Sequence, residues 1–198
     1  MLKDLFNGFP DPYFPTILFN LVILVALVDT LVTRLAGRKG GDTPIATGDR
    51  GSFMLIQVCG FIGILAALSL RRLYWGLLPA AKQYFGLLLV PLGIFVRSWA
   101  IIKLGRFFSR IVEIETGHIL ITSGPYRWLR HPAYTGMLIT DLGFGLALGS
   151  GPGALLLVVL ISAATLYRIR VEEKILIQRF GDEYRSYMQH TRRLFPGW

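Results

Sequence analysis

The chain has 198 residues, of which 53% are apolar and only 17% charged, with a mean hydropathy of +0.53. Soluble domains usually carry about a quarter charged residues, so the composition excludes an ordinary soluble protein and points to one domain in a bilayer. The net charge of +9 would suggest a nucleic-acid binder in a soluble chain, but the placement of the basic residues assigns most of it to membrane topology.

An apolar run of about 20 residues is long enough to cross a bilayer. The first such run is Tyr13–Thr33, entered through the proline-rich FPDPYFP. No small-residue cleavage site with a soluble domain behind it follows, so this run reads as a span rather than a signal peptide. The second run is Phe53–Leu70 and contains Cys59, the one cysteine, which excludes an intrachain disulfide and a cysteine metal cluster. The third is Tyr84–Ile102. The next apolar stretch, Tyr134–Tyr167, is too long for one span and is broken by GSGPG at Gly149–Gly153. It reads as two antiparallel helices joined by a tight turn.

The predicted fold is therefore all-α: a polytopic integral membrane protein of about five transmembrane helices, with a cytoplasmic loop and a C-terminal helix. Sixteen Lys and Arg fall in the segments after spans one, three and five, against four on the other side, with Arg97 inside span three. The positive-inside rule then puts the N-terminus outside and the C-terminus in the cytoplasm. Asp29, Arg97 and Asp141 lie within spans. There a charge is expected to face protein or water rather than lipid, and the sequence leaves their partners open.

The polar half comes in two pieces, Leu104–Gly136 and Arg168–Trp198, joined by the hairpin of spans four and five. A tight hairpin returns the chain to the side it left, so the two pieces meet. In GPYRWLRHPAYTG (Gly124–Gly136), Pro132 is suited to open span four, with His131 just outside it. Tyr, Trp and His at this depth can also serve simply as interfacial anchors. In the second piece Arg168 and Glu172 are four residues apart and share a helical face, with Glu173 one step round. They either pair with each other or line a pocket facing the loop. A guanidinium is the side chain best shaped to hold a carboxylate by two parallel hydrogen bonds.

The stretches GHILITSGPYRWLRHPAYTG, RIRVEEKILIQRFGDEYRSYM and TRRLFP, spread over Leu104–Pro196, resemble the isoprenylcysteine carboxyl methyltransferase family of integral membrane enzymes. The combination of G-x-Y-x-x-x-R-H-P-x-Y-x-G with a following R-x-x-x-E-E and F-G-x-x-Y-x-x-Y is quite specific for that superfamily, which also includes phospholipid methyltransferases, and a looser version occurs in membrane sterol reductases that use NADPH. The resemblance implies S-adenosylmethionine as methyl donor, enclosed by the loop and the C-terminal helix. It implies cofactor contacts at His118, Ile119, Leu120, Ile121, Tyr126, His131, Pro132, Ala133, Tyr134 and Glu172. Glu173 beside Glu172, and Glu113 in the region of variable spacing, complete the set. It also implies that Arg168 holds the substrate carboxylate and so serves as the substrate-binding and catalytic residue.

The expected function is carboxyl O-methylation of a lipophilic, isoprenylcysteine-like acid, with phospholipid or other amine N-methylation as the alternative. The expected partners are the bilayer and a lipophilic small-molecule or prenylated substrate, with no nucleic acid. No metal is expected, because His118, His131 and His190 match no common zinc spacing. The expected location is an integral membrane site facing the cytoplasm, in the cell membrane of a prokaryote or the endoplasmic reticulum of a eukaryote. The whole chain, 1–198, is read as a single membrane domain. Residues 1–103 supply three spans and residues 104–198 the catalytic half that binds the cofactor.

Overall fold

A computed structural model describes residues 9–36, 44–47, 51–109, 113–115 and 119–195. Among these residues six helices carry the fold: α1 Phe14–Ala36, α2 Gly51–Arg72, α3 Ala80–Leu104, α4 Pro132–Ala147, α5 Gly151–Phe180 and α6 Asp182–His190. Four of them, α1, α2, α3 and α5, are long and apolar enough to cross a membrane. The expected spans reappear within a few residues because apolar length is a local property. At 16 residues α4 is only about 24 Å long, shorter than the hydrocarbon layer, so the count of five is approximate. The one departure from all-α order among the described residues is a short antiparallel ribbon, β1 Pro44–Thr47 with β2 Glu113–Glu115.

Large apolar side chains point outward all round the bundle, among them Leu27, Phe61, Leu88, Phe95 and Leu155. In a bilayer those faces meet lipid, so the helices need another reason to associate. Small residues provide it. Gly86 and Gly93 of α3 lie against Gly136, Thr140 and Gly143 of α4, backbone on backbone. A Cβ on Gly93 would stand 2.5 Å from the Gly136 carbonyl oxygen and 2.6 Å from the Thr140 nitrogen. Neither atom can retreat without moving a helix. Gly93→Ala is thus expected to destabilise the protein by about 1–3 kcal/mol, read as a lower midpoint of thermal unfolding in detergent. An unchanged midpoint would mean that the seam is looser than its geometry. Helices α2 and α5 meet in the same way, Gly63 against Leu157 and Gly153 against Ala67.

Helix α1 is held differently. It packs on α3, and Arg97 of α3 donates to Asp29 of α1 at 2.6 Å. The two membrane-embedded charges therefore satisfy each other. Asp141 Oδ2 is buried with no hydrogen-bond partner among the described residues.

The two ends of the bundle are closed by backbone pairing. At one end the α2–α3 and α4–α5 turns are joined, Leu78 N–H to the Gly149 carbonyl at 2.9 Å and Gly151 N–H to the Gly76 carbonyl at 2.8 Å. At the other end the tail after α6 lies beside the segment before α4. There Arg130 N–H donates to the Arg192 carbonyl at 2.7 Å and His131 N–H to the Arg193 carbonyl at 3.0 Å. This second closure builds the polar site.

Candidate active site

Pro132 occupies the first turn of α4, where its missing N–H costs nothing, and His131 stands just before it. Helix α5 runs on for 30 residues, about 45 Å, so the part from Arg168 onward extends past the hydrocarbon. The start of α4 and the polar part of α5 therefore lie side by side. The end of α3, the segment after it, residues 119–121 and α6 close a cavity around them.

Among the residues expected from sequence, Ile119, Leu120, Ile121, Tyr126, His131, Ala133, Tyr134, Arg168 and Glu172 line this one cavity. Its central feature is a relay across α4 and α5. Arg168 Nε donates to the Tyr134 hydroxyl at 2.7 Å, and that hydroxyl donates to Glu172 Oε2 at 2.8 Å. The sequence left open whether Arg168 and Glu172 pair or line a pocket. Both face the cavity, and a tyrosine oxygen stands between them. Arg168 is further fixed by donating from Nη1 to Ser52 Oγ of α2 at 3.0 Å, and it lies 6.0 Å from the Phe53 and Tyr134 ring centres.

Two expected contacts lie elsewhere. Pro132 is buried in the turn of α4 and does not line the cavity; its part is to aim its neighbours. Glu173, one step round α5, does not line the cavity; its carboxylate is held by basic side chains. It accepts from Arg130 Nε at 3.0 Å and from Arg193 Nη2 at 2.7 Å, and His131 Nε2 lies 3.4 Å away. It anchors the tail rather than presenting a free carboxylate to a ligand. His118 lies outside the described residues, and only the backbone of Glu113, in β2, is described.

Sequence reasoning missed Phe107 and Phe108, which wall the cavity after α3, and also Ile175, Leu176, Tyr184 and Tyr187. The last four had a signal. Ile175 and Leu176 continue the helical face of Arg168 and Glu172 by one turn, and both tyrosines belong to the Y-x-x-Y spacing. Arg130, one of the sixteen basic residues that set the topology in the sequence, lines the cavity and ties α6 and the tail. It donates to the Met188 carbonyl at 3.0 Å and the Thr191 carbonyl at 2.6 Å. Tyr187 donates to the Tyr126 carbonyl at 2.6 Å. Burial pushes the Tyr187 hydroxyl up to about 12 against the opposing charge of Arg130, so it remains a donor across the physiological range. Burial and then the charge of Glu172 likewise hold the Tyr126 hydroxyl well above its ordinary value.

The site thus offers a fixed guanidinium, a carboxylate and a wall of aromatic rings at the mouth of an apolar bundle. It suits two ligands at once: an anion against Arg168 and a cation near Glu172 and the rings.

The sequence profile described as the isoprenylcysteine carboxyl methyltransferase (ICMT) family matches residues 86–178, which include the relay. Protein-S-isoprenylcysteine O-methyltransferase B of Arabidopsis thaliana is 34% identical over 140 residues, covering 70% of this chain and 68% of that protein. The Mus musculus protein-S-isoprenylcysteine O-methyltransferase is 32% identical over 135 residues, 65% of this chain and 47% of the mouse chain. Among solved structures, the eukaryotic intramembrane Ras methyltransferase ICMT superposes with a TM-score of 0.55 at 25% identity. That match covers 75% of this chain and 53% of the solved chain, so the present chain corresponds to about half of that relative.

Proposed function

The chain belongs to the isoprenylcysteine carboxyl methyltransferase family, and from that premise we propose that this membrane methyltransferase moves a methyl group from S-adenosylmethionine to a lipophilic, isoprenylcysteine-like carboxylate. The single observation that carries the acceptor class is Arg168, fixed by Tyr134 and Ser52 at the membrane end of the cavity. A guanidinium held in one orientation selects a carboxylate and sets its angle of approach.

The residues fit the donor. Its sulfonium is a cation, suited to aromatic rings and a nearby carboxylate, and its hydroxyl and ammonium groups need acceptors such as Glu172. Bound there, S-adenosylmethionine supplies a methyl group that is already strongly electrophilic. The carboxylate acceptor is already ionised at neutral pH, so the chain need not supply a strong base. Its task is alignment: Arg168 fixes the acceptor oxygen, Tyr134 and Glu172 fix the other side, and Phe107, Phe108 and Tyr126 exclude water. Orientation of this kind is worth about 7–11 kcal/mol in favourable cases. Arg168 acts by positioning, since full neutralisation of the acceptor would weaken it as a nucleophile.

The amine-methylating alternative is not favoured. The relatives are named for the carboxyl reaction. An ammonium acceptor must also lose a proton, and His131 is buried and engaged with Glu173. We place the site on the cytoplasmic face, because sixteen of the basic residues fall on that side of the spans. The membrane is then the cell membrane in a prokaryote or the endoplasmic reticulum in a eukaryote.

The test has two arms in lipid. S-adenosylhomocysteine should raise the thermal midpoint while NADPH leaves it unchanged. Radiolabelled methyl should pass to a farnesylcysteine analogue and be released by base, as an ester is. No response to S-adenosylhomocysteine removes the donor assignment; base-stable label on phosphatidylethanolamine removes the acceptor assignment.

A further inference from the structure

The end of the bundle away from the cavity holds a second charged feature. Arg71, in the last turn of α2, is only 4% exposed. Its Nη1 donates to the Leu148 carbonyl at 2.8 Å. Its Nε and Nη2 are shielded from solvent and have no hydrogen-bond partner among the described residues. A buried guanidinium with two unmet donors is costly, and an anion is what relieves it. The surrounding backbone leaves room for the charge: Gly149 has a φ of +83°, and a Cβ there would run into Arg71 Nη1.

Beside Arg71 lies an apolar cavity of about 300 Å³. Helix α1 packs on α3 and α2 on α5, which leaves a cleft between α1 and α2. Leu18 and Val22 of α1 face Ile64 and Leu68 of α2 across it, with Phe144 of α4 as floor. The charge adjoins the wall of the cleft without lining it. Leu68 and Leu148 line the cavity, and Arg71 follows Leu68 by one turn and bonds the Leu148 carbonyl. Phe9 lines the cavity and also lies over the guanidinium, its ring centre 3.5 Å from the central carbon.

The depth is also set. Immediately after Arg71, Leu73, Tyr74 and Trp75 are each more than 60% exposed. Aromatic residues exposed at the end of a span mark headgroup level. Arg71 is thus about one turn below the headgroups, with the apolar cleft running from it toward the bilayer centre.

We propose that this cleft binds an anionic phospholipid of the leaflet opposite the active site, its phosphate on Arg71 Nε and Nη2 and one acyl chain in the cavity. A zwitterionic lipid brings its own cation and so gains less from an unpaired guanidinium. The lipid phosphate reaches the two nitrogens from the cavity side as Phe9 turns aside. The site would then fill the gap between α1 and the rest of the bundle, which the side chains of the described residues leave open.

Native mass spectrometry of the full chain, released from detergent with phosphatidylglycerol or phosphatidylcholine of equal chain length, tests this. The expected result is a one-to-one adduct with phosphatidylglycerol and little with phosphatidylcholine or with glycerol phosphate. Arg71→Gln should bind phosphatidylglycerol about tenfold more weakly, as loss of charge-assisted hydrogen bonds implies, while Arg72→Gln, at the exposed next residue, keeps the adduct. Ile64→Trp fills the cleft with Arg71 intact and should also lose the adduct, which keeps the test available if Arg71→Gln does not fold. Equal adducts with both lipids, a tail-less phosphate bound as well as the lipid, or phosphatidylglycerol retained by either Arg71→Gln or Ile64→Trp would overturn the proposal.

Discussion

Arg168→Ala is expected to lower kcat/KM for the acceptor by about 10²–10⁴-fold while S-adenosylhomocysteine binds nearly as before. The size follows from losing two hydrogen bonds to a carboxylate, each worth about 1.5–3 kcal/mol, at one decade of rate per 1.4 kcal/mol. The separation of effects follows from geometry. Arg168 is tied to Ser52 and Tyr134 on the membrane side of the relay, whereas Glu172 lies one turn further along α5, toward the aromatic walls. Glu172→Gln should therefore act in the opposite way, weakening S-adenosylhomocysteine by about tenfold, as loss of one charge-assisted hydrogen bond does. Arg168→Lys keeps a charge but not the planar fork and should recover little activity. If Arg168→Ala instead loses the donor and turns over normally at saturating donor, the two roles are reversed. Calorimetry with S-adenosylhomocysteine and steady-state kinetics on a farnesylcysteine analogue read the two parameters separately.

Glu173→Ala is expected to be the most destabilising of the charge deletions in the polar half, by about 3–5 kcal/mol, without a direct effect on the reacting groups. Its side chain is 5% exposed, and it gathers Arg130, at 9%, with Arg193 and His131. Removing the carboxylate leaves the Arg130 guanidinium buried beside an imidazole with no counter-charge. The tail segment that pairs with residues 128–131 loses its anchor, and the cavity loses its closure. The thermal midpoint in detergent should fall by on the order of 10 °C. Arg193→Ala should cost much less, because Arg193 is 43% exposed and solvent screens its pair. A normal midpoint in Glu173→Ala, with donor binding lost, would return Glu173 to the role its neighbour holds.

These two acidic neighbours show what a sequence can and cannot reveal. Consecutive positions on a helix differ by about 100°, so Glu172 and Glu173 meet different neighbours. The motif carries both letters, and the choice between them was made by what packs on each side. Glu172 meets Tyr134 from α4, and Glu173 meets Arg193 from the tail. Ser52 is a sharper case. It lies in the half of the chain that carries no motif, 116 residues from the arginine it orients. Arg97 and Asp29 are similar, 68 residues apart and joined only because α1 packs on α3.

The spans, the hairpin at GSGPG, the turn at His131-Pro132 and the family are legible in the order of the letters. Each of these is written in contiguous residues: apolar length, a glycine-rich break, a proline, a spaced motif. Which charge answers which depends on the packing of the helices. That packing set Arg168 on Ser52 and Tyr134, set Glu173 on the tail, and left the Arg71 nitrogens unmatched beside an apolar cleft. Hydrophobic partition adds up along the chain and can be read from it. A hydrogen bond depends on about 3 Å of separation between side chains that only the folded helices bring together.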